Sequence, residues 1–278
     1  MTPTALTIAG SDSGGGAGIQ ADLKAFSALQ VYGASVITAL TAQNTQTVTA
    51  IFDVNPDFIQ AQIDAVFSDI AVNAVKIGML SRPDVIAIVA DRLKHWRPAH
   101  IILDPVMVAK SGDKLLADDA VDALRTQLLP LATLITPNLP EAQVLLDLDS
   151  PITQRSQMAP AAARLQSLGP ANILLKGGHL DGPESPDLLL HGGEHYWLES
   201  ARVKTRNTHG TGCTLSSSIA ALCAQGMPLP QAVSEAKNYV AAAIQAADEL
   251  NIGHGHGPVH HFHNLWPRHT QSDLEAQA

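Results

Sequence analysis

Six short, almost wholly apolar runs recur along the chain, at residues 5–9, 35–40, 75–77, 101–103, 134–136 and 173–175. Between them lie longer stretches with helical spacing, at 17–29, 56–68, 83–96, 117–129, 139–146 and 158–168. A strand that is apolar on both faces has to be covered on both faces. The alternation therefore predicts right-handed βαβ units and an α/β fold, with a mostly parallel central sheet between two helical layers. Pro56, Pro83, Pro140 and Pro228 mark helix starts, where a missing N–H costs nothing. Later runs at 187–191 and 195–198 flank Gly192-Gly193, a hairpin signal expected to add an antiparallel edge. Two Ala-rich helices are expected at 214–225 and 229–250. No repeat or linker divides the chain, so one domain is expected over 1–264, with a polar tail over 265–278.

Composition narrows the function. Apolar residues make up 46% of the 278, enough for a large core and against disorder. A net charge of −9 and an aromatic content of 4% argue against nucleic acid and anionic membranes as partners. Any bound phosphate must then be held locally, by backbone amides, a few Lys or Arg, and a metal ion. The two cysteines, Cys213 and Cys223, sit ten apart on one expected helix and cannot bridge without bending it. With no basic residue before Lys24 and no apolar run long enough to span a bilayer, the chain reads as cytoplasmic.

Chemistry concentrates where strands end. Gly10-Ser11-Asp12-Ser13-Gly14-Gly15-Gly16-Ala17-Gly18 joins the first strand to a helix. Its glycine spacing is not that of a dinucleotide fold, and a Walker A loop is excluded because no Gly-Lys pair occurs. A tight turn is one reading of it, and a loop lining a substrate is the preferred one. Thr208-His209-Gly210-Thr211-Gly212-Cys213 opens a helix, where glycine amides and the helix dipole form an anion cradle suited to a phosphoryl group. Cys213 in that first turn is expected to have a lowered thiol pKa and to accept a proton; the plainer alternative is a small packing residue. Asn138 and Glu141 start another helix, where they are either a capping box, oxygen ligands for hydrated Mg²⁺, or both. Asp104 and Lys176 end buried strands and point to Mg²⁺ or phosphate, and Lys110 lies on a loop that could close over phosphates. The histidines at 254, 256, 260, 261 and 263 have spacing that could bind zinc, although packing or exposure is the favoured reading.

Taken together, these residues resemble the ribokinase superfamily, and within it the hydroxymethylpyrimidine kinase/phosphomethylpyrimidine kinase branch of thiamine biosynthesis. The resemblance runs from about Leu6 to His263 through residues 6–12, 14–22, 38–44, 75–80, Asp104, 138–141, 176–179, 208–213 and 257–262. It implies a ribokinase-like three-layer α/β/α sandwich and ATP- and Mg²⁺-dependent phosphorylation of 4-amino-5-hydroxymethyl-2-methylpyrimidine, first to the monophosphate and then to the diphosphate. By position it also implies that Gln43, Gly10, Asp22, Ala17, Met79 and Val106 bind the pyrimidine. Gln43 offers a donor and an acceptor side by side, matching a ring nitrogen next to an amine. Cys213, Gly210, Thr211, Gly212 and Lys176 would be the catalytic set. Asn138, Glu141, Lys176, Thr208 and Lys110 would hold the nucleotide, and Asp104 and Glu141 the metal, partly through water. A homodimer is implied, with the hairpin edge as a candidate interface. Two alternatives stand beside this: a pyridoxal or pyridoxine kinase of the same superfamily, and a non-catalytic ligand-binding domain.

Overall fold

The structure is a computed structural model and describes residues 2–107 and 118–267. Among these residues a nine-stranded sheet runs in the order β3-β2-β1-β4-β5-β6-β7-β8-β9. Its parallel centre comprises β1 (Thr4–Asp12), β2 (Tyr32–Gln43), β4 (Ala74–Ile77), β5 (His100–Leu103), β6 (Leu134–Ile135) and β7 (Ile173–Lys176). Antiparallel strands close both edges: β3 (Val48–Asp53) on one side, β8 (Asp187–His191) and β9 (Glu194–Leu198) on the other. Gly192 and Gly193, both at positive φ, make the β8–β9 turn that the sequence predicts.

Alternate residues of the central strands feed two cores. Leu6, Ile8, Val75, Ile77, Ile101, Leu103, Ile173 and Leu175 pack with α2 (Pro56–Phe67), α3 (Pro83–Trp96), α5 (Leu139–Leu145) and α6 (Met158–Gln166). Ala5, Ala74, Ile102, Leu134 and Leu174 face the other layer, built from α1 (Gly18–Ala28), α7 (Thr211–Ala224) and α8 (Leu229–Gln245). The period-two logic of a strand carries the site as well. Two residues beyond each member of this second set, on the same face, stand Thr7, Lys76, Asp104, Thr136 and Lys176. All of them are buried or nearly so. The carboxyl ends of β4, β5, β6 and β7 thus turn polar together beside Thr7 of β1, beneath α7.

Several elements depart from the sequence reading. β3 has no predicted counterpart and β2 runs three residues past its predicted end, because this ribbon leaves the core and its residues are largely exposed. The helix expected over 117–129 is α4 (Asp118–Ala123) followed by a wider turn over Leu124–Leu128 and a tighter one over Leu129–Leu131. Pro130 has no N–H to continue the ladder. The helix expected over 229–250 stops at Gln245. Residues 265–267 end the described chain, with Trp266 stacked on Phe262, while the rest of the expected tail lies outside the described residues. Among the described residues no helix is long and apolar enough to cross a membrane.

Candidate active site

Residues 208–213 open a helix, as the sequence suggests. Gly210 caps α7 at φ +77°, a conformation that suits glycine, and a Cβ there would overlap the Gly16 carbonyl oxygen. No side chain caps the helix. Thr208 contributes its carbonyl, which accepts from the Thr211 amide at 3.3 Å and the Thr211 hydroxyl at 2.7 Å. The amides of Gly212 and Cys213, in the first turn, have no intrahelical acceptor by the geometry of a helix start. Beside them lie the polar strand ends: a Cβ on Gly212 would stand 3.3 Å from Lys176 Nζ and 3.4 Å from Asp104 Oδ2.

Asp104, Lys176 and Glu141 form one charged group. Lys176 Nζ donates to Asp104 Oδ1 at 2.9 Å and lies 4.0 Å from Glu141 Oε2. Thr136 donates to the same Asp104 oxygen at 2.9 Å. Burial opposes charge on Asp104, yet Lys176 and Lys76 outweigh it and hold this carboxyl below the usual range. Glu141 goes the other way: burial, with Asp104 adding to it, outweighs Lys176 and pushes it up to about 7. Asn138 and Glu141 make the capping box, each side chain accepting from the other's amide at 2.8 Å. This box occupies Glu141 Oε2 and brings the carboxyl toward Lys176. Among the described residues no group of three His, Cys, Asp or Glu side chains could hold a metal ion. Two carboxylates, Asp104 and Glu141, flank Lys176, a donor set of the kind that takes Mg²⁺ with most of its waters retained.

The glycine run folds around Asp12 rather than around open space. Its carboxylate accepts from the amides of Gly14, Gly16 and Ala17 at 2.8, 3.0 and 2.8 Å, and from His209 Nε2 at 2.9 Å. Burial works against the charged form, but His209 and these amides overcome it and hold Asp12 below the usual carboxylate range. His209 in turn lies 3.5 Å from Gln43 Nε2 at the end of β2. A small cavity there is lined by Gln43, Asn44, Thr45, Gln46, Thr47, His209 and His256. Gly10 packs on Met79, where a Cβ would lie 2.5 Å from its methyl carbon. Val106 follows Asp104 and its amide donates to the Asp104 carbonyl at 2.8 Å. Lys110 lies outside the described residues.

Asp22 lies deeper than a ring contact requires. Its Oδ2 accepts from Thr7 at 2.6 Å and from Lys76 Nζ at 2.9 Å, with both partners of the ion pair fully buried, and its Oδ1 has no partner. Burial alone would discharge Lys76; Asp22, then Cys213 and Asp104, outweigh it and hold the ammonium above the ordinary lysine range. Breaking such a pair by removing one partner costs about 3–5 kcal/mol.

One expectation is corrected. The Cys213 thiol is not lowered but pushed up to about 11, because burial outweighs Lys76 and the amide of Gly18. It is a neutral thiol at rest. Cys223 is buried and unpaired, as is consistent with packing. His260 and His261 are buried too, and burial pushes His261 down to about 3, so it is neutral, with its Nε2 3.0 Å from Thr214 Oγ1. Lys76, Asp12, His209, Thr136 and Ser216, whose hydroxyl lies 3.5 Å from Asp104 Oδ2, carry no role in the sequence reading. Two had a visible signal: a lysine inside an apolar run, and an acid two residues before a run of three glycines.

The profile of the family described as Phosphomethylpyrimidine kinase matches residues 12–260. The chain belongs to this family. It is accordingly a small-molecule kinase. The hydroxymethylpyrimidine/phosphomethylpyrimidine kinase of Rhizobium meliloti is 58% identical over 96% of this chain and 99% of that protein. The one from Escherichia coli is 51% identical over 94% and 98%. Among solved structures, a Staphylococcus aureus pyridoxal kinase in complex with AMP-PCP and pyridoxal matches with a TM-score of 0.87 at 32% identity, covering 95% of both chains.

Proposed function

We propose that this kinase transfers the γ-phosphoryl group of ATP to the hydroxymethyl oxygen of 4-amino-5-hydroxymethyl-2-methylpyrimidine, and then phosphorylates the monophosphate to the diphosphate, in thiamine biosynthesis. The observation that carries this reading is the row of polar strand ends beneath the uncapped first turn of α7. Phosphoryl transfer asks mainly for positioning and for neutralisation of moving charge, and this row supplies both. The hydroxymethyl oxygen bonds to the γ-phosphorus, the bond to the β-bridging oxygen breaks, and ADP leaves. The amides of Gly212 and Cys213 face the migrating group and Lys176 adds positive charge. The hydroxyl proton passes to an oxygen of the transferring phosphoryl group, because Cys213 beside it is a neutral thiol that keeps its own proton. Gln43, held near His209, reads the ring nitrogen and amine, while Gly10, Ala17, Met79 and Val106 enclose the ring. Asp104 and Glu141 would hold Mg²⁺ through water, and the ion supplies further neutralisation of the nucleotide phosphates when bound.

A groove of about 610 Å³, lined by Lys204, Thr205, Arg206, Asn207, Asp248, Gly253, His254 and Gly255, opens just before the cradle in sequence and is the proposed seat for the nucleoside end of ATP. The homodimer is proposed to form through the β2–β3 ribbon rather than the β8–β9 edge. Leu40, Ile51 and Phe52 are exposed on that ribbon, Phe52 at 69%.

Similarity to pyridoxal kinases favours a second reading, in which pyridoxal is also accepted. One assay tests both: purified protein with ATP, Mg²⁺ and either alcohol, with mono- and diphosphate products followed by chromatography. Preference for the aminopyrimidine is expected. Preference for pyridoxal overturns the main reading, and absence of ATP consumption with either alcohol overturns both in favour of a binding domain.

A further inference from the structure

Three residues around Gln43 carry no substrate role above: Asp12, His209 and Thr41. The backbone of Gln43 is fixed first. Its strand slips register against β3 between Ala42 and Gln43, an irregularity of the kind that re-aims a side chain. Ser13 Oγ donates to the Gln43 carbonyl at 2.9 Å and accepts from the Gln43 amide at 2.8 Å. The His209 ring is fixed as firmly. Its Nε2 lies 2.9 Å from Asp12 Oδ2, its backbone bridges to Pro258, and a Cβ on Gly16 would stand 2.4 Å from its Cδ2. Asp12 is an ionised carboxylate and can only accept, so the Nε2 that faces it carries a hydrogen, whatever the state of the other ring nitrogen. That same Nε2 lies 3.5 Å from one end of the Gln43 carboxamide, and Thr41 Oγ1 lies 3.1 Å from the other. Thr41 has one hydroxyl hydrogen and the Ser11 carbonyl takes it at 2.8 Å, so Thr41 shows Gln43 a lone pair.

The carboxamide thus stands between a donor and an acceptor. The structure places its nitrogen toward His209 and its oxygen toward Thr41, where donor meets donor and lone pair meets lone pair. Oxygen and nitrogen of a carboxamide are nearly alike in shape, so turning it over about its last bond moves nothing else and pairs both ends. The orientation has a chemical consequence. What remains for a ring is one N–H and one lone pair side by side, in an order that turning the amide reverses. A ring nitrogen beside an amine needs one order, and a ring N–H beside a carbonyl needs the other. We propose that Asp12 and His209, with Thr41, hold the Gln43 carboxamide with its oxygen toward His209, and so make it a selector between 4-amino and 4-oxo pyrimidines. Asp12 and His209 are positioning residues here, acting through Gln43. That the amine is the form admitted rests on the function proposed above, but the test uses the free protein and no turnover.

The test is the affinity of the protein, without ATP, for 4-amino- and 4-oxo-5-hydroxymethyl-2-methylpyrimidine. Titration calorimetry gives both dissociation constants, the weaker ring by displacement. A donor or acceptor left facing its like costs about ten-fold or more, so over two contacts the wild type is expected to favour the amine by about 10²-fold. His209→Phe keeps an aromatic ring on Gly16 and removes the N–H, and Thr41→Val removes the lone pair. Each is expected to cut the ratio about ten-fold, mainly by tightening the oxo ring. His209→Gln, whose NH2 has one hydrogen for Asp12 and one for Gln43, is expected to keep the ratio. A merely structural role would weaken both rings together and leave the ratio alone, and that result overturns the proposal. So does His209→Gln as unselective as His209→Phe, or a wild type that binds both rings equally or neither. Should His209→Phe fail to fold, the ratio in Thr41→Val decides. A wild-type preference for the oxo ring that falls in the same variants upholds the selector and sinks the aminopyrimidine reading. Phosphorylation of the aminopyrimidine, with a ratio that no variant moves, sinks the selector and leaves the kinase reading standing.

Discussion

Two glycines two residues apart, Gly210 and Gly212, should respond to alanine in opposite ways. Gly212 lies inside α7 at ordinary helical φ, so alanine gains the usual helix advantage of about 0.5–1 kcal/mol. Its methyl would sit 3.3 Å from Lys176 Nζ, the end of a flexible chain that has only to move by a few tenths of an ångström. The expected melting temperature of Gly212→Ala is therefore unchanged or raised by about 1–3 °C. That methyl, however, enters the space between the amides and Lys176 where the phosphoryl group must pass. Alanine keeps the amide, but a methyl that holds the phosphoryl group away from it costs at most what losing the donor costs, on the order of 10²–10³ in kcat or about 3–4 kcal/mol. A loss of about 10²-fold with intact stability is expected for Gly212→Ala. Gly210→Ala pays in the fold instead: φ +77° costs a side chain about 1–2 kcal/mol, before the overlap with the Gly16 carbonyl is relieved. Scanning calorimetry and steady-state phosphorylation on both variants give the contrast. A Gly212→Ala protein with wild-type kcat would refute the claim that the phosphoryl group travels over these amides.

Four more outcomes follow from the same geometry. Cys213→Ser should lose less activity than Gly212→Pro, which removes an amide as well as distorting the turn; the reverse order in kcat would show the sulfur to matter more than the cradle. Asp12→Asn should raise KM for the pyrimidine more than it lowers kcat, since the carboxylate that gathers Gly14, Gly16, Ala17 and His209 lies on the Gln43 side of the site. His261 is held neutral in the fold, so its folded pKa lies below its unfolded value of 6.5, and protons bind the unfolded chain more readily between about 3 and 6.5. Stability is therefore expected to fall as pH drops through that window, by up to about 1.4 kcal/mol per unit, and His261→Gln should flatten the slope in urea melts. If the proposed dimer forms through the β2–β3 ribbon, Phe52→Asp with Leu40→Asp should give a monomer by light scattering, while a charged substitution at Tyr196 of β9 should not.

What the sequence disclosed depends on where each residue sits. The central strands were legible because burial on both faces leaves an unbroken apolar run, as in 101–103 and 173–175. The far end of β2 and the whole of β3 were not, since a strand exposed on both faces carries no core-facing alternation. The helix start at 208–213 announced itself through Gly210, whose positive φ the structure requires, and the nearby Gly212. Cys213 shows the limit of local reasoning. Its first-turn position argues for a lowered pKa, and only the tertiary surroundings, where burial outweighs the dipole and Lys76, reverse that sign. Lys76 and Asp22 lie 54 positions apart and Asp12 and His209 lie 197 apart, so neither pair could be seen without the fold.

The meeting of Gly16 with Gly210, reinforced by Asp12 on His209 and by the pairing of His209 with Pro258, has a consequence for how the molecule becomes competent. Ligand-reading and charge-handling halves are stitched at one seam by residues from opposite ends of the polypeptide. A nascent chain still short of Pro258 already carries the whole sheet and the Asp104, Glu141 and Lys176 group, but lacks the last bridge that holds His209 at this seam.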